Sequence, residues 1–75
     1  MSRTRQFTAI IERDEETFVA LCPELDIASQ GESEDEARQN LVEAIELFFE
    51  TASPDELERR AHEVVSITRV DVKVA

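Results

Sequence analysis

Few side chains in this sequence are equipped for chemistry, and their spacing decides which chemistry is open to them. Cys22 and His62 together make a conceivable nucleophile–base pair, since an imidazole within hydrogen-bond reach activates a thiol. Cys22, however, closes the alternating run Phe18, Ala20, Cys22, where a small apolar thiol is expected to be buried and inert. His62 falls at the end of a short helical segment, a place where a cation or polar cap suits the helix dipole. One Cys excludes an internal disulfide, and one Cys with one His cannot build a structural zinc site. Asp14, Glu15 and Glu16 are adjacent, without the alternating oxygens and central glycine of a calcium loop. Spaced carboxylates such as Asp14 and Glu24 could hold magnesium for nuclease work, but the segment Phe7 to Ile11 has no acid at its centre. No glycine-rich phosphate loop, paired histidines or strained serine elbow occurs. The residues therefore lead us to expect no catalytic group, no metal site and no cofactor.

What must position these residues is a small chain with a strong charge bias. Its 75 residues carry 18 acids and 8 bases, a formal net charge of −10. Residues 12 to 50 hold 13 of the acids against Arg13 and Arg38. That bias opposes direct binding to nucleic acid, whose phosphates call for clustered Lys and Arg. It suits either a solvated surface or one matched to a basic partner. No run of residues approaches the roughly 20 apolar positions of a membrane span, and Met1 to Arg5 leads into no apolar signal core. The single Cys fits a reducing cytoplasm.

The hydrophobic pattern predicts the elements. Arg5 to Glu12 alternates as a strand, and Thr17 to Cys22 resumes the alternation after the polar Asp14-Glu15-Glu16 break, giving a hairpin. Without an Asn-Gly or Asp-Gly pair, a loop longer than the tightest kind is expected. Pro23 ends the second strand, and Ile27 to Gln30 is a short third. Gly31 follows as the residue freest to take positive φ. Ser33 with Glu36 is a capping box that opens a helix running from Glu34 to about Thr51. Its apolar arc is roughly 200° wide once Val42, Leu47 and Phe49 are included, about twice what docking on one sheet requires. Ser53, Pro54 and Glu56 start a second, short helix ending near His62. Val64 to Val74 is a β-branched strand whose apolar phase changes at Thr68-Arg69. An exposed edge of this kind needs a partner, which makes Val70, Val72 and Val74, with Phe49, the expected dimer contacts. The resulting fold class is two-layer α+β, β-β-β-α-β. It comprises a three-stranded antiparallel meander, a last strand parallel to the first, a main helix on one face and a short helix before the last strand.

Several of these residues together resemble a known family. Phe7-Thr8-Ala9-Ile10-Ile11-Glu12-Arg13-Asp14-Glu15, Phe18-Val19-Ala20, Cys22-Pro23-Glu24-Leu25, Gly31, Glu36-Ala37, Asn40 and Glu43-Ala44-Ile45-Glu46 are similar to the HicB-like antitoxin domain. The likeness covers about residues 6 to 50, and departs after Leu25, where Asp26-Ile27 stands for the usual Pro-Gly. The resemblance implies a degraded RNase H-like fold without catalytic residues, and a partner: a small basic HicA-type toxin that cleaves mRNA. It makes the expected function non-catalytic toxin neutralisation by a homodimer. A solitary dimeric structural or regulatory protein of the same fold is the alternative, and a metal-dependent nuclease the reading of another class. Asp14, Glu15, Glu16, Glu24 and Asp26 are the expected toxin-facing acids, because loops carry contacts more often than helix backs do. A single domain over residues 1–75, with no C-terminal DNA-binding domain, is the expected organisation.

Overall fold

Strand β1 (Ile10–Asp14) turns back on β2 (Thr17–Cys22) through Glu15 and Glu16 alone in the computed structural model, which describes residues 5–75. The register runs antiparallel from Ile10↔Leu21 to Asp14↔Thr17, so the loop is shorter than its composition suggests. Glu15 makes this possible by adopting φ 57°, in the left-handed region that costs a Cβ-bearing residue about 1–2 kcal/mol. Ladder pairing on both sides holds it there. Strand β3 (Ile27–Gly31) then pairs antiparallel with β2, from Cys22↔Ile27 to Phe18↔Gly31, giving the sheet order β1-β2-β3. The turn into β3 uses a second left-handed residue, Asp26 at φ 56°.

β1 begins at Ile10 rather than at Arg5. Beyond Leu21 and Cys22 the neighbouring chain turns away at Pro23, so Arg5–Ala9 has no ladder partner among the described residues. Thr8 instead donates its N–H and its hydroxyl to the Glu24 carboxylate, each at 2.8 Å.

Gly31 does not take positive φ. It is needed for space: a Cβ there would lie 2.6 Å from the Ala37 nitrogen and 2.9 Å from the Glu36 carbonyl carbon. That close approach seats the first turn of helix α1 (Glu34–Thr51) on the end of β3. Ser33 Oγ accepts the Glu36 N–H at 3.1 Å, as a capping serine should. The Glu36 carboxylate reaches back to the N–H of Glu32 at 3.3 Å, one residue before the cap. Asn40 then ties the helix to β3 through Nδ2 and the Gln30 carbonyl, 2.8 Å apart.

The core lies between α1 and the inner face of the sheet. Ala20, Cys22, Leu25, Ala37 and Leu41 are buried, with Phe7, Ile11, Phe18, Ile27, Ile45, Phe48 and Phe49 packed around them. α1 rests mainly on β3 and β2 and only grazes β1. Short helix α2 (Pro54–Arg60) follows, capped by Ser53, whose hydroxyl accepts the Glu56 N–H at 3.2 Å. Its far end is fastened to the β2–β3 turn: Arg60 donates to the carbonyls of Leu25 (3.1 Å) and Asp26 (2.9 Å), and the His62 N–H to that of Glu24 (2.6 Å).

The expected last strand does not join this sheet. Residues 61–75 pair with no strand among the described residues, and Val65, Ile67, Val70, Val72 and Val74 are exposed. The radius of gyration, 14.5 Å, exceeds the about 11 Å of a compact chain of this length. The meander, the main helix and the short helix thus stand as expected, and the described residues show no parallel fourth strand.

Candidate partner-binding surfaces

The five acids expected to face a partner do not lie together. Asp14, Glu15 and Glu16 occupy the β1–β2 turn and are all exposed. Because Phe18 lies opposite both Arg13 and Gly31, this turn shares an end of the sheet with the segment that enters α1. Glu32, Glu34, Asp35 and Glu36 are exposed on that segment and the first helical turn, so acids distant in sequence gather at one end. Arg38 offsets part of this charge, bonding Asp35 at 2.7 Å and approaching Glu34 at 4.0 Å. Both pairs are solvated and add little to stability. Arg13 lies over the Phe18 ring at 5.3 Å.

Glu24 and Asp26 sit at the opposite end, in the β2–β3 turn, and are largely engaged within the chain. The Glu24 carboxylate accepts both Thr8 hydrogen bonds and, at 3.5 Å, the Cys22 thiol. Burial by itself would raise this carboxyl; hydrogen bonds from its own N–H, from Thr8 and from Cys22 outweigh that and hold it below the usual carboxylate range. Its work is to fasten Arg5–Ala9 to the sheet. Asp26 faces His62, with Nε2 and Oδ2 3.7 Å apart, while its carbonyl serves Arg60.

Cys22 is buried, and burial pushes its thiol up; the hydrogen bond and charge of Glu24 add to this, against an opposing hydrogen bond from the Leu25 N–H. It is a protonated core residue, far from the activated thiolate a nucleophile requires. His62 lies at the surface beside Asp26, so the two residues first considered for nucleophilic chemistry have different partners. Among the described residues, no group of three or more His, Cys, Asp or Glu is arranged to hold a metal ion. No helix among them is long and apolar enough to cross a membrane.

The apolar surface is more distinctive. Of the expected dimer residues, Phe49 is half-buried in its own chain, its ring 5.7 Å from both Phe7 and Phe48 and 5.6 Å from the Arg5 guanidinium. Val70, Val72 and Val74 are free in the extended tail. Because α1 leans toward β3, a groove of about 590 Å³ remains between Arg5–Ala9 and the helix, floored by Leu41, Val42 and Ile45. Val42 was marked in the sequence only as a flank of an over-wide apolar arc. Nothing in the sequence showed that the residues preceding β1 would form the other wall.

Fold and surface together define a small α+β module: a three-stranded antiparallel meander layered on one long helix, followed by a short helix, and open along the outer edge of β1. The chain is 46% identical over 50 residues to a UPF0150 protein of Helicobacter pylori, an alignment covering 65% of this chain and 69% of that protein. It belongs to the UPF0150 family. No family model matches it.

Proposed function

We propose that this chain is a non-catalytic, HicB-like antitoxin module of the cytoplasm. It binds and neutralises a small basic HicA-type toxin that cleaves mRNA, and it acts as a homodimer. The observation that carries this reading is the gathering of Asp14, Glu15 and Glu16 with the acidic first turn of α1 at one end of the body. A surface with this surplus of acids draws in a cationic partner and speeds encounter. Membership of UPF0150 and the motif resemblance over residues 6 to 50 agree with it. In this reading residues 64–74 supply the missing fourth strand, parallel to β1, and neither nucleic acid nor membrane is bound directly.

The test is affinity capture of the tagged chain from native extract at low salt. The expected result is a small basic ribonuclease whose mRNA cleavage stops when the chain is added, and whose association slows as salt is raised. Recovery of no such partner refutes the toxin-binding reading.

A second reading, a solitary dimeric structural or regulatory protein with no toxin, is favoured by the open β1 edge and the exposed valine-rich tail. It expects a homodimer and no ribonuclease in the same capture. The nuclease reading expects magnesium-dependent cleavage lost on neutralising Asp14 and Glu24; those two carboxylates lie at opposite ends of the sheet.

A further inference from the structure

The tail and the groove are matched features of one chain that do not meet. The groove borders Arg5–Ala9, and beyond them the outer edge of β1 is unpaired among the described residues. At about 3.3 Å per residue that edge is about 17 Å long, and residues 69–74 extended reach about 20 Å. Val65, Val70 and Val74 are 88%, 77% and 87% exposed, an apolar cost no stable monomer needs to bear. The chain exposes 6671 Å² in all. A folded monomer of 8.5 kDa exposes about 4,700 Å². The excess, about 2,000 Å² for one chain, is more than the about 800 Å² that each partner gives to a standard protein–protein interface.

The path of the chain argues about who fills the groove. The tail leaves the body beside Arg5, Gln6 and Phe7, near the groove itself, where Ala61 to Val64 line a neighbouring cleft of about 320 Å³. Beyond Val64 every residue is exposed, and the chain measures 51 Å along its longest axis. Lying back along its own β1 would require a reversal close to Val64, yet residues 61–75 contain neither Gly nor Pro and are rich in β-branched side chains.

We propose that residues 69–74, at the end of this tail, occupy the groove of a second copy and pair with the outer edge of its β1, with the exchange reciprocal. Val70, Val72 and Val74 then rest on Val42 and Ile45 of the receiving helix, and the segment before Thr68 crosses between the two bodies. The change of apolar phase at Thr68-Arg69 follows from this, because each half of the strand meets a different surface. So does the excess width of the apolar arc on α1. Reciprocal exchange closes the assembly at two copies and leaves no β1 edge free. The proposal rests on the homodimer part of the function proposed above and does not depend on a toxin.

The test uses the full chain. Protein carrying ¹³C-labelled methyl groups is unfolded and refolded with an equal amount of unlabelled protein. Mass is then measured by light scattering, and contacts between copies by an isotope-filtered nuclear Overhauser experiment. The expected result is twice the chain mass, with between-copy contacts joining the methyls of Val70, Val72 or Val74 to those of Val42 or Ile45. A dimer whose tail methyls reach Val42 and Ile45 only within one copy, or do not reach them, overturns the exchange and leaves the homodimer standing. A monomer overturns both.

Discussion

At the scale of single residues, Glu24 is the side chain whose role the structure changes most. Its position in a loop suggested a partner contact, whereas its carboxylate is committed to Thr8 and Cys22. A carboxyl held below its ordinary pKa by folding contributes stability that is present above that ordinary value and lost as pH falls through the folded one. Glu24→Gln should therefore destabilise the chain at neutral pH. The gap to the wild type in urea midpoint should close as pH falls through and below the ordinary carboxylate range. A gap that stays constant across that range would show that the charge is immaterial. The Glu24 link to Thr8 spans 16 positions and leaves no periodic trace in the sequence. Cys22 behaves as its alternating neighbours suggested, because burial on a strand face is a local property that spacing reveals.

At the scale of elements, the entry into α1 combines a cap that the sequence shows plainly with a packing constraint that it does not. Ser33→Ala removes one accepted N–H bond and should cost about 1 kcal/mol. Gly31→Ala drives a Cβ into the Ala37 nitrogen and the Glu36 backbone, atoms that cannot move without shifting the helix. It should cost about 1–3 kcal/mol, more than loss of the cap. Denaturant midpoints of the two variants rank the effects, and equal or reversed midpoints would contradict the packing account. Gly31 was visible as the single glycine, but its reason was not: sequence suggests backbone freedom, while geometry shows clearance. The hairpin makes a similar point. Its polar break was legible, yet its two-residue length depended on Glu15 accepting a left-handed conformation that pairing on both sides enforces.

At the scale of the whole molecule, the body and the tail follow different rules. The body satisfies its own pattern, with two capped helices, three paired strands and a core drawn from both layers. The tail has strand composition and meets no strand among the described residues; in the exchange proposed above, its conformation depends on a second copy. Val72→Glu places a charge in the middle of that apolar run and should shift the assembly from dimer toward monomer by light scattering. An unchanged dimer would remove Val72 from the interface. The variant leaves every residue of the core in place, so a fold-wide collapse is not expected.

Alternation, capping boxes and turn residues determined by themselves the order of the three strands and two helices, the buried face of β2 and the polarity of α1. These are short-range signals, set by backbone geometry within a few residues. Only the tertiary structure decided that α1 would lean away from β1, that Glu24 would turn inward, and that acids from the hairpin and the helix start would share one end. It also decided that the last apolar segment would leave the chain's own sheet incomplete. Each of these depends on how separate elements pack and on what surface remains once they have, which local spacing does not encode.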